Sequence, residues 1–218
     1  GVRLVGSEMC IRDRLTTTYN WLIDDGGLDA LPMILNISLS SSGTVNIPLF
    51  YTGGTPVIKV DWGDGTVDSL LTHNYSTGSY TITITGKTSL AGQYGSNLSS
   101  YSLFNSSITS LVSWGTGLNI KTCIYAFYGA TQLTSVANDL PAGVTNMSHM
   151  FDGCTSFNQV LTFDTSSVYS MFNMFNNCQS LNVDISFNTS NVTSMINMFS
   201  GCVKLNNKIT MDTSNVVN

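Results

Sequence analysis

Asn188–Leu205 reads NTSNVTSMINMFSGCVKL, and its pattern recurs along the chain at a fixed step. The segments MFDGC, MFNNC and MFSGC place Cys154, Cys178 and Cys202 at successive differences of 24 residues. Every apolar column keeps the same step. Val144, Val168, Val192 and Val216 form one column, Met147, Met171 and Met195 a second, and Met150, Met174 and Met198 a third. Phe151, Phe175 and Phe199 follow, then Phe157, Leu181 and Leu205, then Leu161, Ile185 and Ile209. One step upstream Ile120, Cys123, Phe127, Ala130 and Leu133 fill the same columns in a diverged unit. Self-similarity at a period of this size is the signature of stacked repeats.

Within a unit the period switches. Val144, Met147, Met150, Phe151 and Cys154 fall at steps of 3, 3, 1 and 3, which predicts a helix of about three turns with one apolar face. Leu161 and Phe163, like Ile185 and Phe187, alternate with polar residues and predict a short strand. The intervening DTSS, NTSN and DTSN, starting at Asp164, Asn188 and Asp212, read as helix N-caps. A strand, a capped turn and a short helix cannot bury their own apolar face, so units must stack with strands parallel. The expected result is a right-handed solenoid of the leucine-rich-repeat kind. Cys154, Cys178 and Cys202 share a column with Ala130, which favours buried thiols over disulfides. A zinc site would need a fourth ligand and CxxC-like clustering, and neither is present. The methionine columns read as core.

The repeats resemble the BspA-like leucine-rich-repeat surface proteins of bacteria, whose consensus reads like DTSNVTxMxxMFxGCxxL. Asn188–Leu205 fits that pattern almost throughout, and the resemblance covers about 100 residues. It implies an exported protein that attaches to host surfaces, other cells or extracellular polymers. The chain departs from the pattern at the aromatic strand position, which reads Phe163, Phe187 and then Met211. It ends within a unit at Asn218, from which a longer native array is expected.

Upstream, Met33 to Gly86 consists of short β-rich runs broken by turn residues. In SYTITITG, Tyr80, Ile82 and Ile84 alternate with Thr81, Thr83 and Thr85, the pattern of a strand with one buried face. Asp61–Thr66, DWGDGT, supplies Asp-Gly turn chemistry. VDWGDGT, THNY and GSYTITITG stand in the order and spacing of the polycystic-kidney-disease (PKD) type immunoglobulin-like domain, and this stretch resembles that family. The resemblance implies a β-sandwich used as a spacer or adhesive module, and in BspA-like proteins such a module commonly precedes the repeats. Asp61 and Asp64 are the candidate metal ligands, since two carboxylates in one glycine turn could reach a cation. Turn capping is the simpler reading of both.

The organisation that follows has five parts. Residues 1–14 contain LVGSEMCIRDR at 4–14, which resembles the in-frame translation of a sequencing-library transposase adapter and implies a gene fragment. Residues 15–31 read as a linker or the tail of a preceding segment, 32–87 as the PKD-like sandwich, 88–118 as a connection and solenoid cap, and 119–218 as the repeats. Trp114 is the candidate cover for the first repeat. The fold class is thus mainly β with short helices, a PKD-like sandwich followed by an α/β solenoid of 24-residue repeats.

Composition narrows the function. Charged residues are 10 % of the 218, against about a quarter in average domains, and Ser, Thr and Asn make up roughly a third. Arg3, Arg12, Arg14 and Glu8 are the only residues of their types, and all lie in the first 14 positions. A net charge of −5 without a Lys/Arg cluster argues against a nucleic-acid partner. No apolar run approaches the ~18 residues of a transmembrane helix. Catalysis finds little support: His73 and His149 are the only histidines, and His149 shares a column with Asn173 and Asn197, read as a solvated helix face. No cofactor is implied. The expectation is a non-enzymatic, extracellular or cell-surface interaction protein whose solenoid contacts a protein or glycan. Lys121, Thr145, Tyr169 and Thr193, one column of that unit, mark the candidate ligand face. The alternatives are an accessory region of a larger secreted hydrolase, or a phage or appendage structural protein.

Overall fold

The computed structural model describes residues 30–217; the adapter-like segment 4–14 and most of the 15–31 tail lie outside the described residues. The described chain is mainly strand with one short helix. In order come β1 (Met33–Leu39), β2 (Gly43–Asn46), β3 (Leu49–Tyr51), β4 (Ile58–Asp61), β5 (Val67–Asp68), β6 (Thr72–Tyr75), β7 (Gly78–Gly86) and β8 (Gly92–Tyr94). The helix α1 (Ser102–Ser107) leads into β9 (Ile108–Trp114), followed by β10 (Ile120–Thr122), β11 (Ser135–Val136), β12 (Ile185–Ser186) and β13 (Ile209–Thr210).

Alternation decides the first half. Met33, Leu35, Ile37 and Leu39 of β1 are buried, while the residues between them are half-exposed. They face Ile84, Ile82, Tyr80 and Gly78 of antiparallel β7, so the expected buried face of the TITIT run forms one wall of the core. The largest sheet has the order β11-β9-β1-β7-β4-β5, and a second sheet has the order β10-β8-β3. A separate ribbon pairs β2 with β6. Both larger sheets extend beyond residue 87. β9 pairs antiparallel with β1 through two bulges, and β11, inside the first repeat, adds to β9 in parallel. In the second sheet β10 likewise joins β8 in parallel. The two textures of the sequence are thereby joined by main-chain pairing, and one apolar cluster runs from Met33 to Met198.

From β10 onward, successive 24-residue units stack in parallel register. Bridges link Thr122 to Asn146, Asn146 to Ser170 and Ser170 to Ser194. The three-turn helix expected at 144–154 is replaced by a string of tight turns, and the reason lies in the division of hydrogen bonds. Met150, Asp152 and Cys154 donate back three residues, to the carbonyls of Met147, His149 and Phe151. His149, Phe151 and Gly153, between them, donate forward to Phe172, Met174 and Asn176 of the next unit at 2.8 Å each. Half of the N–H groups are thus committed to a neighbour, and an α-helix would need them all. The third residue of two of these turns has positive φ: His149 (55°) and Gly153 (79°), repeated at Asn173 and Asn177 and at Asn197 and Gly201. Turns with positive φ at that position favour Gly and Asn, which is why those types recur there. The capping expectation is corrected in the same way. Asp164, Asn188 and Asp212 accept from the N–H two residues on, at Ser166, Ser190 and Ser214, closing side-chain turns that lead into no helix.

The strand expectation holds in part: Ile185–Ser186 pairs in parallel with Ile209–Thr210, whereas Leu161 and Phe163 are buried but form no strand. There, side chains replace the ladder. The Gln159 amide bonds both the N–H and the C=O of Val136, at 2.7 and 2.8 Å, as a neighbouring strand would.

Candidate functional site

The repeat core is built from the columns legible in the sequence. Val144, Met147, Met150, Phe151 and Cys154 are buried, as are Val168, Met171, Met174, Phe175 and Cys178. In the last unit Val192 and Met198 are buried, and Met195, Phe199 and Cys202 are partly exposed. The phenylalanines form a ladder: Phe127 to Phe151 at 5.4 Å, Phe151 to Phe175 at 5.3 Å and Phe175 to Phe199 at 5.7 Å, all near parallel. Among the described residues Cys123, Cys154, Cys178 and Cys202 are free thiols. Each Sγ–H donates to a carbonyl of the preceding unit at 3.0 Å, Cys154 to Phe127, Cys178 to Phe151 and Cys202 to Phe175. Burial pushes all three thiols above their ordinary pKa, which suppresses the thiolate that metal binding or nucleophilic work requires.

Asparagine side chains bond successive units. Asn158 and Asn182 each accept the N–H of the residue 24 positions on, Asn182 and Asn206. Asn191 and Asn215 reach back to the carbonyls of Ser166 and Ser190. The neutral polar residues therefore hold one unit to the next, a task that like charges in register would oppose.

Lys121, Thr145, Tyr169 and Thr193 are brought together on one lateral face. The N–H of Thr145, Tyr169 and Thr193 each donate to the carbonyl of the column member before it, at 2.9 Å. Tyr169 is 50 % exposed, and its hydroxyl accepts from the Asn146 amide at 2.9 Å. Lys121 Nζ is turned to the Ala142 carbonyl at 2.8 Å. Just beyond the Thr122–Ser194 bridges lies an aromatic group that spacing did not reveal. Tyr125 stacks on His149 at 4.6 Å, His149 meets Phe172 edge-on at 5.0 Å, and Tyr128 stands against Tyr125 at 5.5 Å. His149 Nδ1 also bonds Asp152 Oδ2 at 2.8 Å, and Asp152 is only 8 % exposed. The histidine expected on a solvated helix face is instead half-buried and stacked, because the chain there is a turn between two units. The signal that could have found this group is aromatic or imidazole character at positions one step apart, Tyr125 and His149.

Asp61 and Asp64 lie together in the β4–β5 turn and act as turn acceptors. Asp61 Oδ1 takes the Gly63 N–H, and Asp64 Oδ1 takes the Thr66 N–H, at 2.9 Å each. Asp64 Oδ2 bonds His73 Nε2 at 2.8 Å, and the imidazole lies flat on Trp62 at 4.9 Å. The Thr66 N–H, assisted by His73, holds the Asp64 carboxyl below its ordinary value. Gly63 has φ 78°, and a Cβ there would collide with the Thr81 backbone, so the turn can close only with glycine. Among the described residues no group of three or more His, Cys, Asp or Glu side chains could hold a metal ion. Among the same residues neither histidine is hydrogen-bonded to a hydroxyl or thiol. No described helix is long and apolar enough to cross a membrane.

A family model described as "Mycoplasma protein of unknown function, DUF285" matches residues 121–218, the stretch that forms the stacked units. Neither a curated protein nor a solved structure matches the chain.

Proposed function

We propose that the chain is a non-enzymatic interaction module of an exported or cell-surface protein, in which a PKD-like sandwich carries a BspA-like solenoid of 24-residue units. The solenoid contacts a protein or glycan on a host, cell or matrix surface. The observation that carries this reading is the lateral face: Lys121, Thr145, Tyr169 and Thr193 in one hydrogen-bonded column, beside Tyr125, His149 and Phe172. Hydroxyl, amide and aromatic groups suit polar ligands with apolar faces. Fixing them on a bonded ladder lowers the ordering cost of binding. The matched family has no assigned function, so the class of ligand rests on this surface alone.

The test is binding of the chain to arrays of glycans and matrix proteins, with Tyr169→Ala and Thr145→Ala alongside. Selective, saturable binding that weakens at least tenfold in the double variant, with an unchanged melting temperature, is the expected result. Silence across the arrays, or binding indifferent to both substitutions, rejects the lateral face as the site.

A further inference from the structure

His149 is the only imidazole of the stacked units, and the units on either side of it grip its ring. Tyr125 of the preceding unit stacks on it at 4.6 Å with Tyr128 edge-on at 6.4 Å, and Phe172 of the following unit meets it edge-on at 5.0 Å. On its own turn Asp152 Oδ2 lies 2.8 Å from Nδ1. The other units carry Tyr128, Asn176 and Ser200 at the Asp152 position, so the carboxylate occurs only where the histidine does. It is 8 % exposed, and His149 is its one side-chain partner among the described residues.

The carboxylate decides which nitrogen carries the ring proton. Ionised, it can only accept, so the neutral imidazole places its proton on Nδ1. Turning the ring over would strip a buried carboxylate of its donor, which is costly. Asn173 Nδ2 stands 3.5 Å from the same nitrogen, at the limit of a hydrogen bond. Nε2 is therefore left bare. It has no hydrogen-bond partner among the described residues, and it is not closed off from solvent. The lateral face thus holds a fixed acceptor set among aromatic rings.

The surroundings of that acceptor select its ligand. The charge in contact with the ring is Asp152; Tyr125 and Tyr128 face it from the preceding unit, and Phe172 and Asn173 of the following unit do not titrate. Lys121, in the adjoining column, turns its Nζ to the Ala142 carbonyl at 2.8 Å. A carboxylate, sulfate or phosphate would meet Asp152 with no cation to offset it. An uncharged sugar meets what the site offers, because a hydroxyl can donate to Nε2 while the apolar C–H face of the ring packs on Tyr128, which is 37 % exposed. We propose that the lateral face binds an uncharged sugar, that His149 Nε2 accepts one of its hydroxyls, and that Asp152 is the positioning residue that holds the tautomer. The inference rests on the lateral-face reading and narrows its ligand from protein or glycan to neutral glycan.

The probes are cellotetraose, chitotetraose and mannotetraose, with sialyllactose and a heparin tetrasaccharide as the anionic arm, titrated into the full chain. Saturable binding of at least one neutral sugar is expected, at least tenfold tighter than either anionic one. His149→Asn, which places at this turn the residue type of Asn173 and Asn197, should weaken it at least tenfold with an unchanged melting temperature, as should His149→Phe, which keeps an aromatic ring and removes both nitrogens. Long-range proton–nitrogen NMR of the free chain should show His149 protonated at Nδ1 and bare at Nε2, with the Nε2 resonance moving in step with saturation by the sugar. Asp152→Ser, the residue type of Ser200, should return the ring to a mixture of tautomers. A proton on Nε2 in the native chain, an unchanged tautomer in Asp152→Ser, tighter binding of an anionic sugar, or neutral-sugar binding indifferent to both His149 variants would each overturn the proposal. So would the absence of any sugar binding. In that case binding to a matrix protein that Tyr169→Ala and Thr145→Ala weaken would leave the lateral face standing as a protein site, and its absence would remove both readings.

Discussion

The Cys178 thiol donates to the Phe151 carbonyl at 3.0 Å, across a separation of 27 residues, and the same bond joins Cys154 to Phe127 and Cys202 to Phe175. A cysteine column in a repeat invites a disulfide or metal reading. Here it is a second donor to a turn carbonyl that already accepts the N–H three residues on, Cys154 for Phe151, and so ties that turn to the neighbouring unit.

Cys178→Ala removes that second donor while the Cys154 N–H remains, so the expected loss is that of one ordinary hydrogen bond, about 1 kcal/mol. Cys178→Ser keeps a donor and should recover part of the loss. Urea unfolding of the three proteins measures the difference. In the native chain a thiol reagent should modify Cys202, the partly exposed member, well before Cys123, Cys154 or Cys178.

Asn177 has φ 57°, at a position held by glycine in the neighbouring units, and its side chain is exposed. Asn177→Val should therefore report backbone strain almost alone, at about 1–2 kcal/mol. Asn177→Gly should be close to neutral. Equal stability of the valine and glycine variants in thermal unfolding would contradict the turn geometry.

Trp114 is fully buried between Tyr94 and Phe127, and its Nε1–H donates to the Ala137 carbonyl at 3.2 Å. Trp114→Ala should cost about 3–5 kcal/mol, the usual range for a deleted buried aromatic. Because the side chain joins the first half to the first repeat, the calorimetric transition should also broaden or split. A narrow, single transition would mean that strand pairing alone couples the two.

Tyr51 is half-buried, its hydroxyl donates to the Leu118 carbonyl at 2.9 Å, and burial raises its pKa from 10.0 to about 12. The folded state thus holds the phenolic proton more tightly than the unfolded state. The stabilisation is fully present below pH 10 and is lost as pH rises toward 12. Partial exposure keeps the effect small. Tyr51→Phe should flatten the alkaline fall of the urea midpoint over that window, and an unchanged slope would remove Tyr51 as its source.

The repeat, its columns and the β character of the first half were legible because burial imposes a period that composition cannot hide. Val144, Met147, Met150 and Phe151 had to be inside whatever backbone carried them, and they are. The backbone was misread for the same reason: steps of 3, 3, 1 and 3 suit a helix and a string of three-residue turns equally well. The discriminating residues were His149, Gly153, Asn173 and Asn177, whose positive φ breaks a helix every fourth position. Lys121, Thr145, Tyr169 and Thr193 could be aligned from spacing alone, as could Tyr125 and His149, whereas Phe172 occupies another column and is joined to them only by the fold.

By itself the sequence determined which side chains are buried and at what interval the chain returns to the same place. Only the tertiary structure decided that alternate N–H groups cross to the next unit, and that β9 and β11 carry the first sheet into the repeats. The physical reason is the range of the interactions. Apolar periodicity is local and is written in every unit, but a main-chain hydrogen bond between residues 23 positions apart carries no side-chain signature.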